Sequence, residues 1–429
     1  MRDFLSRSLL RLLTHCLATG LFQRTARLPD FVDASLDGRR GQVRRCFAAW
    51  VTWIALAGSL VGPSCAVSSA PRERTDLADV LQPIRAEHGV PALGAAVLLG
   101  GEIVALGVVG VRRSGMEQAV SVDDLWQLAS CTKVMTATLL AHLIERGDLR
   151  WDTKLEEALP DLAERMHPDY RHVTLRQLVD HRAGLPAEQS GGNVLEQLAP
   201  SPLPIRVQRG RAVEALLSIA PVGTPGRYVY SNNGFLVAGA VIERASDSSW
   251  EEAMEAGLFQ PLGMRTAGFG TPGVGASSTQ PWGHRTLNSR AAAIDPDTPF
   301  ATISPRYGPA GSVHCSLEDW SRFVALHADG EQQAHELLSK ASLLEMHRPV
   351  PGANYTCGLA VVETEGPAAI ALGHDGSSPG WYACLRIFPR DRFAVMVVCN
   401  QGGPSASRAC RSAAQTLAEQ FRPLRKGPP

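Results

Sequence analysis

Ser130-Cys131-Thr132-Lys133 places a hydroxyl and an amine three residues apart at the head of an apolar run through Val134, Met135, Leu139, Leu140, Leu143 and Ile144. That run predicts a helix over Ser130–Arg146, stopped by Gly147. Positions i and i+3 share a helix face, so the two groups are neighbours. A serine hydroxyl is a weak nucleophile until a base takes its proton. An amine does this only when uncharged, and burial in an apolar cleft disfavours its charged form. Arginine stays protonated and cannot serve. The chain holds only four lysines, Lys133, Lys154, Lys340 and Lys426, so the other 38 of its 42 basic residues are arginines (42 − 4). A lysine one turn after a serine therefore stands out, and Ser-x-x-Lys occurs once. Ser130 is placed in a first helical turn, where unpaired amides and the helix dipole favour developing negative charge. Alone the pattern is weak, because a serine at a helix start with a lysine one turn on is commonplace.

Two further stretches carry compatible chemistry. Pro225-Gly226-Arg227-Tyr228-Val229-Tyr230-Ser231-Asn232 is a turn leading to Tyr230 and Asn232, read as two positions on a short extended loop before an apolar helix from Phe235 to Ala245. A phenol beside an ammonium is pushed toward phenolate, which makes Tyr230 a second base candidate. Asn232 both donates and accepts, as orienting Lys133 and holding a substrate amide requires. Gly373-His374-Asp375-Gly376-Ser377-Ser378-Pro379-Gly380 precedes a strand from Trp381. Its glycines, Gly376 among them, allow close approach of a backbone edge to substrate. The Ser377 amide is a candidate to complete an oxyanion hole with the Ser130 amide. His374 is a candidate donor to a leaving group or a carboxylate. Each stretch in isolation also reads as an ordinary turn, but the three occur in order, with Tyr230 100 residues after Ser130 and His374 144 after Tyr230.

The elements that must position these groups divide along the chain. Asp76–His88 reads as an amphipathic helix with Pro83 inside and Gly89 at its end. Leu93–Leu99 and Ile103–Val109 are β-type runs around Gly100-Gly101, a hairpin signal. Helical patterns fill the middle, at Leu175–Asp180, Ala212–Ile219 and Ser249–Leu258 besides those above. Strands return at Tyr382–Phe388 and Phe393–Val398 around a Pro389–Arg392 turn, and Ser405–Phe421 is a closing helix. The expected fold class is α+β: an antiparallel sheet made from both ends of the chain, flanked by N- and C-terminal helices, plus an all-α lobe. The expected domain spans 71–425, its α/β lobe from about 76–115 and 355–421 and its mainly helical lobe from about 125–350. A cleft between lobes is a favoured ligand site.

Ser-x-x-Lys, Tyr-x-Asn and His-x-Gly in this order resemble the class C β-lactamase-like, penicillin-binding-protein-like serine hydrolases. That group includes D-alanyl-D-alanine carboxypeptidases, D-aminopeptidases and β-lactamase-related esterases. Leu178–Pro186, Phe259–Met264, Ala310–Val313 and Glu318–Trp320 look like the same family, so the similarity covers roughly residues 76–421. The resemblance implies a β-lactamase/transpeptidase-like fold and an acyl-enzyme mechanism. In it Ser130 is the nucleophile, Lys133 and Tyr230 share base and acid work, Asn232, His374 and Gly376 contact substrate, and the Ser130 and Ser377 amides hold the oxyanion. Asp180 and His181 become structural. His374 stands where dedicated β-lactamases of this type carry the lysine of Lys-Thr-Gly. A lysine is a permanent cation suited to a substrate carboxylate, whereas histidine is mostly neutral near pH 7. An esterase or peptidase role gains weight over a β-lactam one. The competing expectation is a non-hydrolytic penicillin-binding or cell-wall-sensing module that acylates without turning over.

Composition constrains the rest. The chain is 45% hydrophobic and 20% charged, ordinary for a globular protein with a real core. Its 42 acidic and 42 basic residues balance, which argues against a nucleic-acid partner. No metal or organic cofactor is implied; the expected partner is a small ester, D-amino-acid peptide or β-lactam. Three of nine cysteines lie before residue 66, and none has metal-ligand spacing. The others read as buried small apolar residues, with one disulfide among Cys357, Cys384 and Cys399 open if the protein is exported.

Residues 1–70 read as an N-terminal extension that carries a signal segment. Arg44-Arg45, an apolar run from Cys46 to Val61, and small residues through Ala66 and Ala70 are the three parts of a secretory signal. Sixteen residues are short for a membrane span. The expectation is export to the periplasm or beyond, with translation starting near Val43. Lipidation of Cys65 and a transit peptide in the first 30 residues are compatible alternatives. Ala187–Arg211 is expected to overhang the cleft and set specificity.

Overall fold

The computed structural model describes residues 73–187, 202–275, 279–332, 335–363 and 370–423. The segment read as an export signal and the middle of Ala187–Arg211 lie outside these residues. The chain begins with β1 (Thr75–Asp76), helix α1 (Ala78–His88), β2 (Ala92–Leu99) and β3 (Glu102–Gly110). Asp76 Oδ1 accepts from the Ala78 amide, and Gly89 ends α1 at φ 62°, a left-handed conformation that glycine adopts without strain. Next come β4 (Trp126–Gln127) and α2 (Thr132–Glu145), then α3 (Ile205–Ser218), α4 (Asn232–Ser246), β5 (Gly268–Phe269), a hairpin of β6 (His284–Leu287) and β7 (Arg290–Ala293), β8 (Val313–Cys315), α5 (Leu317–Asp329) and α6 (Lys340–Met346). The last part holds β9 (Tyr355–Thr356), β10 (Leu359–Glu363), β11 (Ile370–Ser378), β12 (Trp381–Phe388), β13 (Phe393–Cys399) and α7 (Pro404–Phe421).

Eight strands form one sheet in the order β1-β3-β2-β13-β12-β11-β10-β9. Its centre joins the two ends of the chain: β2 pairs with β13 from Leu93↔Cys399 to Leu99↔Phe393. The sheet is not wholly antiparallel, because Thr75–Asp76 runs parallel to β3 at Ala105–Leu106. Alternation along β13 divides two cores. Val395, Val397 and Cys399 pack with Leu81 of α1 and with Ala406, Ala409, Cys410 and Ala413 of α7. Ala394, Met396 and Val398 face the opposite core, with α2 and with Trp320, Phe323 and Val324 of α5. Coverage on both faces explains why β2 and β13 are apolar without interruption. A small sheet, β4-β8-β5, lies under the start of α2.

Helix α2 is buried on almost every side from Thr132 to Leu143. Full burial of Met135, Leu139 and Leu140 is worth about 1.5–3 kcal/mol each. Its head differs from the expected continuous helix: Ala129–Cys131 form a 3₁₀ turn, and the α-helix begins at Thr132. Helix α3 starts at Ile205 rather than Ala212, so the end of Ala187–Arg211 is helical. The helix read at Ser249–Leu258 is α-helical over Trp250–Met254 and widens into a π turn at Glu255–Phe259. The glycine-rich His374–Ser378 stretch is itself strand, the second half of β11. Cys131, Cys315, Cys357, Cys384, Cys399 and Cys410 are free and buried, so the disulfide left open among Cys357, Cys384 and Cys399 does not form. Their packing satisfies the apolar reading. Among the described residues no helix is long and apolar enough to cross a membrane.

Candidate active site

Strand β4 and the 3₁₀ turn deliver Ser130. Leu128 is anchored when its amide donates to the Val313 carbonyl at 2.9 Å, and Ala129 then turns the chain at φ 45°, strained backbone for a residue with a side chain. Ser130 is half-buried at the mouth of α2. One turn on, Lys133 is 0% exposed. A buried amine must find oxygen partners, and Lys133 Nζ lies 2.7 Å from the Ala310 carbonyl and 3.0 Å from Ser130 Oγ. The face of α2 holds the segment after Tyr307 at two further points. Thr136 Oγ1 donates to Pro309 O at 2.7 Å, and Thr132 Oγ1 accepts from the Val313 amide at 3.1 Å.

Tyr230 Oη donates to Ser130 Oγ at 3.2 Å, the residue being 38% exposed. Helix α4 starts at Asn232, three residues earlier than the apolar pattern implied, because Ser231 caps it and accepts from the Asn233 amide at 3.2 Å. Asn232 is thus the first helical residue, not an extended loop position. Behind Tyr230 sits His181, at φ 57°, its ring centroid 4.2 Å from the phenol's. His181 Nδ1 accepts from the Ser231 amide at 3.2 Å, and its carbonyl accepts from Val229 N at 2.8 Å. Asp180 binds Arg176 at 2.7 Å and the Cys357 amide at 2.7 Å, tying the same turn to the main sheet's edge. Burial, and then the Lys133 charge, hold the His181 imidazole well below its ordinary pKa.

Strand β11 supplies the opposite wall. Its pairing with β10 ends at Gly373, whereas its pairing with β12 continues to Ser378. His374–Ser378 therefore form an open edge against the Ser130 turn. A Cβ on Gly376 would fall 2.1 Å from Leu128 O and 3.1 Å from Ser130 N, so only glycine allows the strand to come this close. His374 is 7% exposed and packs near Tyr230 and Tyr355, with ring centroids at 6.2 and 5.9 Å. Its Nδ1 lies 2.8 Å from the Asp375 carbonyl, which requires a proton on Nδ1. Burial, then the Lys133 charge, lower its pKa to about 3, so the ring is neutral at physiological pH. Asp375 points to the other side of the sheet, where Arg386 and Arg411 hold its carboxylate at about 2.

Chemically, a hydroxyl with an amine and a phenol both within proton-transfer distance, beside two amide-bearing segments, is equipped for acyl transfer. Ser130, Lys133, Tyr230, His374 and Gly376 are brought together, with Asn232 and Ser377 on adjoining elements. Among the described residues no group of three or more His, Cys, Asp or Glu side chains is placed to hold a metal. Sequence reasoning missed the Ala310 carbonyl and Thr136. His181, expected to be structural, packs its ring at a 42° tilt against Tyr230.

A sequence profile described as Beta-lactamase matches residues 77–420. The chain belongs to the β-lactamase family. Penicillin-binding protein 4 of Amycolatopsis lactamdurans is 29% identical over 342 residues, covering 74% of this chain and 83% of that protein. Esterase EstB of Burkholderia gladioli is 31% identical over 184 residues, 41% of this chain and 46% of its own. Among solved structures, a D-stereospecific amidohydrolase from Streptomyces sp. superposes with a TM-score of 0.62 at 25% identity, covering 79% of this chain and 98% of that one. The fold is the α+β β-lactamase/transpeptidase-like one, and the β-lactamase-family chain is a serine hydrolase.

Proposed function

We propose that the protein hydrolyses an ester or D-amino-acid amide bond through an acyl-enzyme on Ser130. The observation that carries this is the convergence of Lys133 Nζ, at 3.0 Å, and Tyr230 Oη, at 3.2 Å, on Ser130 Oγ. In the proposed cycle Lys133 acts on Ser130 in its uncharged form, having first given up the charge that bears on His181 and His374. Ser130 Oγ attacks the carbonyl carbon, and its proton passes to Lys133 or Tyr230. The negative oxygen is held by the Ser130 and Ser377 amides. The C–O or C–N bond breaks, and the leaving alcohol or amine takes the proton through Tyr230. Water, deprotonated by the same pair, then releases the acyl group as acid. Asn232, His374 and the Gly376 backbone line the substrate strip.

The neutral imidazole of His374 favours substrates without a carboxylate at this point. A short ester or a D-amino-acid amide fits better than a β-lactam whose carboxylate needs a cation there. The similarity to an esterase and to a D-stereospecific amidohydrolase supports this reading. We place the enzyme outside the cytoplasm, on the Arg44–Ala70 signal pattern.

Incubation with a chromogenic ester and a slow acylating probe, followed by mass spectrometry of the digested protein, tests the assignment. Turnover with an acyl group trapped on the Ser130 peptide is the expected result. Stable labelling without turnover would instead mark a penicillin-binding sensor, and an acyl group elsewhere would sink the scheme.

A further inference from the structure

The two amides proposed to hold the oxyanion belong to different sheets: Ser130 follows β4 of the small sheet, and Ser377 lies on β11 of the large one. Their separation must be fixed by contacts across the seam between those segments. Side chains at alternate positions of β11 share one face, and His374, Gly376 and Ser378 supply the seam. Cys131 Sγ reaches His374 O at 3.4 Å, a weak contact, and the bare Gly376 lies against Leu128. Ser378 Oγ donates to Gln127 Oε1 at 2.6 Å.

Gln127 is 0% exposed and sits three residues before Ser130. Its Nε2 donates to the Gly270 carbonyl at 3.3 Å. Gly270 O cannot donate, so the amide has one orientation, with Oε1 toward Ser378, and the Ser378 hydroxyl must be the donor. His314, the register partner of Gln127 across β4 and β8, also meets Gly270 O at 3.1 Å. The adjacent residues repeat the grip: Trp126 packs edge-on against Trp381 at 6.3 Å, and Trp381 pairs with Ser378. One side-chain amide thus ties the segment carrying Ser130 to the residue after Ser377.

We infer that Gln127 and Ser378 are positioning residues, a clamp that sets the spacing of the two oxyanion-binding amides. The inference rests on the reading of Ser130 and Ser377 given above. Gln127 is buried away from the cleft, and the Ser378 hydroxyl is spent on Gln127 Oε1. Misplacing one donor weakens the bond to the developing oxyanion more than it weakens ground-state binding, because the oxyanion forms only along the reaction.

The test uses the full chain with Ser378→Ala, Ser378→Thr, Gln127→Met, the Gln127→Met/Ser378→Ala double variant, and Ser130→Ala as control. Readouts are kcat and KM on a chromogenic ester, the inhibition constant of a boronic acid that mimics the tetrahedral state, and Tm. Expected are a fall of about tenfold in kcat with KM within about twofold for each single variant, and a matching loss of boronate affinity. The double variant should be no worse than either single, because both cut the same link. Ser378→Thr, which keeps the hydroxyl, should recover most of the rate. Unchanged kcat in Ser378→Ala, or losses that multiply in the double variant, would overturn the clamp even if Gln127→Met folds poorly. Full activity in Ser130→Ala would instead remove the hydrolase reading, and the clamp with it.

Discussion

Lys133 and Thr136, one turn apart on α2, donate to consecutive carbonyls: Nζ to Ala310 and Oγ1 to Pro309, each at 2.7 Å. The helix that carries the amine also holds the turn that the amine leans on, so the geometry around Nζ is set from both ends. Removing Thr136 Oγ1 leaves the Pro309 carbonyl buried without that partner, at a cost of about 1–3 kcal/mol. Thr136→Val should lose that much stability by urea titration and about tenfold in kcat, while Thr136→Ser stays near wild type. A Thr136→Val enzyme with wild-type kcat would show that the turn holds itself.

Lys133→Arg preserves charge and cannot present an uncharged nitrogen. Ester turnover should fall roughly 10³-fold or more, the scale of lost general-base work. Rates within tenfold of wild type would remove lysine as the base.

His374 provides a pH signature of stability. Its folded pKa, about 3, lies below the ordinary value of about 6.5. Between those values the unfolded chain binds the proton and the folded one does not, so stability falls as pH drops through that window. His181 is shifted the same way and adds to the slope. Unfolding titrations from pH 7 to pH 4 should show a decline that is shallower in His374→Gln by on the order of 1 kcal/mol per pH unit. An identical slope in the variant would mean that the ring takes up its proton as readily in the fold as in the unfolded chain.

We propose that the same ring also selects substrate charge. His374→Lys restores a cation at the open edge and should raise the ratio of cephalosporin to neutral-ester turnover about tenfold, read from the two kcat/KM values. Efficient cephalosporin hydrolysis by the wild type would show that neutrality at this position does not select against carboxylates.

Arg209 is fully buried between Glu243 and Glu251 and also donates to the Pro305 and Arg306 carbonyls, just before the Ala310 turn. Arg209→Met strands a buried carboxylate and should cost about 3–5 kcal/mol. A thermal melt within two degrees of wild type would show that Glu243 is protonated instead.

Much of this was legible because chemistry and periodicity coincide. Ser130 and Lys133 share a helix face by spacing alone, and the β2 and β13 runs announce a sheet covered on both sides. The head of α4 precedes the apolar run from Phe235 because Ser231 caps the helix, and a polar cap adds nothing to the hydrophobic period. The 3₁₀ turn at Ala129 was invisible because nothing in an alanine signals φ 45°. Support from Ala310 and His181 is tertiary: Lys133 and Ala310 stand 177 positions apart, with no local pattern that pairs them. The parallel β1 pairing is two residues long, below what any period can reveal.

The β2–β13 pairing also shapes how the chain folds. These neighbours at the sheet's centre are separated by some 300 residues, from Leu93 to Cys399. Contacts of such long range come late and slow the search for the native state. A ribosome must release nearly the whole polypeptide before this sheet can close, and until then the β11–β13 strands behind the edge that faces Ser130 lack their neighbour β2.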